Sequence, residues 1–244
     1  MSFRRPLLVV LAVVLAAGFA SADTKIVKKT HTDAFAIMGQ QQPAKDEQSV
    51  SWIGDKRLRV DNGDASFIVR PDQNAMYLVN HAEKSYNVID LPVDISKLLP
   101  PGMGDQMMQM MKFQVTVTPS AETRKVGSWN ARRYDLTMNS AMMQMNSVVW
   151  TTKDVSFDLD SFNALAEEMV RVQPGMADTI GEMRKMEGFQ VLTEATMMVM
   201  GSEVKSREET LSIDEMSAPA GTYEVPAGYT KQEFDFMKMQ QMNK

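Results

Sequence analysis

Apolar and polar residues alternate with a period of two through much of the first half of the chain. The runs at 49–53, 57–61, 66–70, 76–80 and 85–89 repeat every eight to ten residues. Between them lie Gly54-Asp55, Asn62-Gly63-Asp64, Pro71-Asp72-Gln73-Asn74 and His81-Ala82-Glu83-Lys84, all rich in turn-forming residues. Strands this close together pair antiparallel, because a parallel pair needs a crossover of a dozen residues or more. Period two places Val50, Trp52, Leu58, Val60, Phe67, Val69, Tyr77, Val79, Tyr86 and Val88 on one face. The other face mixes Ser51, Arg57, Arg59, Ser66, Arg70 and Asn87 with Ile53, Ile68, Leu78 and Ile89, so some strands are apolar on both sides. Both faces of those strands need a cover, and helices are expected to supply it.

The rhythm changes beyond Leu91. Short helices are expected over 92–99 and 103–111, on either side of Pro100-Pro101-Gly102. Strands resume at 113–118, 124–129, 131–138 and 144–152. The clearest helix follows: Asp158 is an N-cap, and Leu159, Phe162, Leu165, Met169 and Val172 recur at helical spacing. Pro174-Gly175 interrupts it, and Met176, Ile180, Met183 and Met186 continue one face to Gly188. Two strands, near 189–200 and 203–213, lead into a Pro- and Gly-rich stretch at 219–229. A short amphipathic helix carrying Phe234, Met237 and Met242 is expected at 231–244.

The first 22 residues read as a cleavable export signal. Arg4 and Arg5 precede an apolar run at 7–17, and Ala20-Ser21-Ala22 is the small-residue cleavage site. That run is short for a membrane span. Its removal leaves 222 residues with 24 basic and 31 acidic side chains, a net charge of −7. An acidic domain suits nucleic acid poorly, since phosphates demand a basic face. Cysteine is absent, which removes disulfides, thiol catalysis and thiolate metal sites. The compartment expected is the periplasm, holding residues 23–244 as one domain without an integral membrane anchor.

The familiar catalytic patterns do not occur. Gly102-Met103-Gly104 lacks the third glycine of a phosphate loop and sits in a proline break. No serine lies in a nucleophile elbow, and His31 and His81 are not spaced for zinc. Each histidine reads as a solvated side chain. No enzyme and no cofactor are expected.

Methionine changes the picture. Of 23 in the chain, 22 follow the signal, and 13 of these cluster at 107–111, 142–145, 197–200 and 237–242. One reading is a soft-metal site, because thioether sulfur selects copper(I). Met107 and Met110 stand one helical turn apart, Met142 and Met145 are further ligands, and His31 or His81 could complete a set. The other reading is packing, since methionine adapts to irregular apolar surfaces and variable greasy partners.

The runs Trp52-Ile53-Gly54, Arg57-Leu58-Arg59-Val60-Asp61, Tyr77-Leu78-Val79-Asn80 and Tyr86-Asn87-Val88-Ile89-Asp90-Leu91-Pro92 resemble an uncharacterised bacterial family. So do Leu98-Leu99-Pro100-Pro101-Gly102-Met103, Trp129-Asn130-Ala131-Arg132-Arg133-Tyr134 and Pro226-Ala227-Gly228-Tyr229. Members of that family carry a domain of unknown function placed beside the periplasmic lipoprotein carriers LolA and LolB. The resemblance implies an α+β fold: a strongly curved, unclosed β-barrel with helices covering its concave side. It also implies a cavity for an apolar partner, whether lipid, acyl chain or lipoprotein. A separate reading is an assembly factor whose concave face binds another envelope protein. The lining expected is Trp52, Leu58, Val60, Phe67, Val69, Tyr77, Val79 and Tyr86 from the sheet, with Met107, Met110 and Met111 from the cover.

Overall fold

A computed structural model describes residues 23–37, 40–94, 112–140, 143–171, 175–199 and 201–234. The first strand, β1 (Thr24–Thr32), is followed by a small hairpin, β2 (Phe35–Ile37) and β3 (Gln40–Gln42). The meander comes next: β4 (Lys45–Gly54), β5 (Arg57–Asn62), β6 (Ala65–Arg70), β7 (Ala75–Asn80) and β8 (Ser85–Asp90). These strands lie where the alternation places them, and each pairs antiparallel with the next.

The second half contributes β9 (Gln114–Val126), β10 (Trp129–Asn139), β11 (Met143–Thr152), β12 (Phe189–Val199) and β13 (Ser202–Glu215). Helix α1 (Leu159–Arg171) and the single turn α2 (Ile180–Met183) lie between β11 and β12. A two-residue strand, β14 (Thr230–Lys231), pairs parallel with β8.

Twelve strands form one open mixed sheet in the order β14-β8-β7-β6-β5-β4-β1-β13-β12-β11-β10-β9. The join between its halves is β1, which pairs with both β4 and β13.

This corrects the α+β, LolA-like expectation. Strands take 59% and helices 12% of the described residues, and the sheet closes into no barrel, so the architecture is mostly β. The helical reading of 176–188 shrinks to a 3-10 turn and one turn of α-helix. The expected C-terminal helix begins instead with β14, and its remainder beyond Phe234 lies outside the described residues. The helices expected over 92–99 and 103–111 also fall almost wholly outside them.

Turn length sets the faces. Two-residue turns put Ile53 opposite Leu58 and Val60 opposite Phe67, while a four-residue loop puts Val69 opposite Met76. Gly63 supplies the positive φ of the β5–β6 turn, at +58°. Ile53, Leu58, Val60, Phe67, Val69, Met76, Leu78 and Ile89 therefore share one face, with Ile26 from β1. Helix α1 lies on that face over β5 and β6, and its buried Leu165 joins the core there. Asp158 caps the helix, accepting hydrogen bonds from the backbone N–H groups of Asp160 (3.3 Å) and Ser161 (3.2 Å).

The opposite face is covered by the segment after β13. Ala218, Tyr223, Val225 and Tyr229 pack there on Trp52, Ile68, Val79, Tyr77 and Tyr86. Tyr223 comes so close that a Cβ on Gly54 would sit 2.9 Å from its Oη and 2.5 Å from Asp23 Oδ1, which is why position 54 needs glycine. Beyond Tyr229 the chain pairs with the β8 edge, and Phe234 reaches the core on the α1 side.

Candidate functional site

The expected lining does not converge. Leu58, Val60, Phe67 and Val69 lie on the α1 face, where Leu58 and Val69 are fully buried in the core. Trp52, Tyr77, Val79 and Tyr86 lie on the other face, beneath the C-terminal segment. The one-face grouping followed hydrophobicity, and β4 and β7 are apolar on both sides. The even-numbered turns reverse the face at each step. Met107, Met110, Met111 and Met142 lie outside the described residues.

The α1 face instead carries a groove of about 910 Å³ between α1, the α2 turn and the start of β12. Phe162 and Val170 of α1, Ile180, Met183, Met186 and Phe189 give it an apolar lining. The rings of Phe157, Phe162 and Phe189 meet edge to face with centroids 5.4–5.5 Å apart, an arrangement their quadrupoles favour. Two ammonium groups stand at the rim. Lys28 Nζ donates to Glu208 (2.7 Å) and lies 5.4 Å from the Phe189 ring centroid, while Lys153 Nζ donates to Glu187 (2.5 Å). The hydrogen bond from Lys153 holds the Glu187 carboxyl below the ordinary glutamate range. On the far rim Arg184 donates both of its bonds to Glu167 at 2.7 Å and lowers that carboxyl likewise. A site of this size with an apolar floor and a few polar groups at its mouth fits a small apolar ligand.

A second depression, about 600 Å³, crosses β10 to β13 and reaches β1. Its charged groups are held by near neighbours: Arg207 by Glu194 (2.6 Å), Lys205 by Glu203 (2.9 Å) and Asp135 by Arg133 (2.8 Å), while His31 lies 3.2 Å from Asp33. Little charge remains there for a ligand.

The alternation alone hid a polar cluster under the C-terminal segment. Arg59 holds Asp61 through Nε (2.7 Å) and donates to Ser66 Oγ (3.1 Å) and the Thr222 carbonyl (3.0 Å). Ser66 also bonds to Asp61, and its Oγ lies 2.5 Å from His81 Nε2, while His81 Nδ1 meets Tyr229 Oη at 2.9 Å. His81 is thus a bridge rather than a solvated turn residue. Every group is satisfied when Tyr229 donates to His81, His81 to Ser66, and Ser66 to Asp61. A serine nucleophile needs the reverse, with imidazole taking the hydroxyl proton. Ser66 is moreover 1% exposed. The cluster fastens the segment: Arg70 donates to the Tyr223 carbonyl (2.9 Å) and Tyr223 Oη to Asp23 (3.1 Å). Pro219 to Tyr229 read only as a loop, and its role is visible once its partners on β5, β6 and β7 are known.

The other histidine, His31, lies between Asp46 (2.9 Å) and Asp33 (3.2 Å). Neither imidazole is therefore idle as a ligand to a methionine cluster. No group of three or more His, Cys, Asp and Glu among the described residues could hold a metal ion.

Among solved structures the chain is similar to one titled "Structure of PNGF-II in C2 space group", with 12% identity and a TM-score of 0.43. The alignment covers 91% of this chain and 32% of that one, so the chain spans about a third of the length of the structure it matches. None of the curated proteins is similar to it in sequence. The model of a family described as a domain of unknown function, DUF4412, matches residues 56–229, well over half of the sequence, and the chain belongs to that family.

Proposed function

We propose that the protein is an exported binding protein of the bacterial periplasm that holds an acyl chain in the groove beside α1. The groove itself carries this reading, with its lining of Phe162, Val170, Met183, Met186 and Phe189 and its two lysines at the mouth. Each methylene buried there contributes roughly 0.8 kcal/mol. Lys28 and Lys153 are placed to exchange their carboxylate partners for the polar end of a lipid. Methionines in the wall suit cargo of varied shape, since an unbranched thioether chain repacks easily. The signal-like residues 1–22 support export, and the reading calls for neither catalysis nor a cofactor. Among the described residues no helix is long and apolar enough to cross a membrane.

Kinship of the family with the LolA and LolB carriers belongs to the same reading. It rests on the sequence runs quoted above and not on a shared architecture. A lipoprotein, presenting the same acyl chains, is the corresponding protein cargo.

Native mass spectrometry of protein purified without detergent tests the proposal. Co-purified lipid is expected, together with uptake of a fluorescent fatty acid that Met183→Asp abolishes without altering the circular dichroism spectrum. A clean apo mass and no uptake by the unmodified protein would sink it.

A further inference from the structure

The sheet register gathers methionines that the sequence scatters. Met138 on β10 stands directly opposite Met145 on β11, and Met145 directly opposite Met197 on β12. Directly paired residues of neighbouring strands share a face, with Cβ atoms about 5 Å apart. Three thioethers therefore form one row across three strands. Val115, opposite Met138, and Val204, opposite Met197, close its ends. Met143, two residues from Met145 on the same strand, points to the same side.

Burial grades along the row. Met138 is 8% exposed and both flanking valines are buried, whereas Met143, Met145 and Met197 are half-buried. The row is thus seated in apolar surface, with Met143, Met145 and Met197 partly open to solvent. Strand interiors favour β-branched and aromatic side chains, which lose less freedom when ordered than a long flexible one. Three adjacent methionines forgo that advantage, and the row brings their thioethers side by side. Met138 is buried in one apolar cluster with Tyr134, Leu136, Val149, Met176 and Met186, and Met143 and Met145 pack against it, so the row opens from the edge of that cluster.

Thioether sulfur is soft and uncharged. It binds copper(I) well and hard cations such as magnesium or calcium poorly. The row itself contains no carboxylate or imidazole that would recruit zinc, and both histidines are engaged elsewhere. We infer that Met138, Met145 and Met197, with Met143 within reach, form a thioether site for copper(I). The site does not depend on the acyl-chain reading. A thioether carries no proton between about pH 5 and 7, so its affinity stays level where an imidazole site weakens through protonation near 6.5.

The test is anaerobic titration of the full chain with copper(I) against a colorimetric chelator. The comparison is the triple variant Met138→Leu, Met145→Leu, Met197→Leu, in which leucine keeps the apolar volume. The unmodified protein is expected to hold one copper(I) at least about tenfold more tightly than the triple variant, with level affinity across that pH range. Its X-ray absorption should show sulfur alone around the metal. Met169→Leu, a change in the α1 core away from the row, should leave affinity unchanged. If the triple variant does not fold, Met145→Leu at the centre of the row makes the same comparison. Equal affinity in the folded row variants and the unmodified protein would overturn the assignment, as would nitrogen ligands or an affinity that falls with histidine protonation.

Discussion

Replacing Leu165 with alanine probes the contact that shapes the groove. Leu165 is 4% exposed and is the fully buried residue of α1, seated in the core with Ile26, Ile53, Leu58, Val69 and Met76. The substitution removes three carbons, or about 2.4 kcal/mol of transfer free energy at 0.8 per methylene. The cavity left behind adds to this, and buried leucine-to-alanine changes span roughly 2.7 to 5 kcal/mol. Met169 packs against the same core and is flexible enough to move partly into the hole, which favours the low end. The expected loss is therefore about 3 kcal/mol. For the roughly 190 described residues this lowers Tm by about 8 °C. Urea unfolding should show a lower midpoint at unchanged slope, the mark of altered stability without altered compactness. Asn163→Ala, at an exposed position two residues away, should shift stability by no more than about 0.5 kcal/mol. A loss below about 1 kcal/mol for Leu165→Ala would show that α1 is not docked on this core, and the groove would lose its wall.

Two further outcomes follow from the C-terminal segment. Burial and the Asp23 carboxylate push the Tyr223 phenol above its ordinary value, so the folded chain keeps a proton that the unfolded chain releases. Stability should then fall as pH rises past about 10, and Tyr223→Phe should flatten that fall while lowering neutral-pH stability by about 1 kcal/mol, readable by urea unfolding at a series of pH values. His81→Ala removes the link between Ser66 and Tyr229; it should cost about 1–2 kcal/mol and speed proteolytic cutting near Tyr229, with the circular dichroism of the sheet unchanged. Unchanged protease resistance would mean that the segment is held by its apolar contacts alone.

Much of the local structure was legible. The strands β4 to β8 and helix α1 stand where alternation, turn residues and the Asp158 cap place them, because each is set by neighbours within a few positions. The candidate lining was not. Trp52 and Leu58 are both apolar and near in sequence, yet a two-residue turn sets Ile53, not Trp52, opposite Leu58. The expectation of a broad helical cover failed for a related reason. Apolar residues on both faces of β4 and β7 demanded a cover, and pattern alone could not show that an irregular segment ending at Tyr229 supplies one side of it.

By itself the sequence determined the antiparallel hairpins, one amphipathic helix and an abundance of thioethers, all features carried by local spacing. Only the tertiary structure decided that β1 joins the two halves through Thr24–Glu215 and Thr24–Ile53 pairing, and that Met138, Met145 and Met197 stand side by side. The physical reason is that a strand's own pattern names its apolar positions but not its partner. Partner and register come from turn lengths summed along the chain and from burial on two faces at once, and these exist only when the whole sheet is assembled.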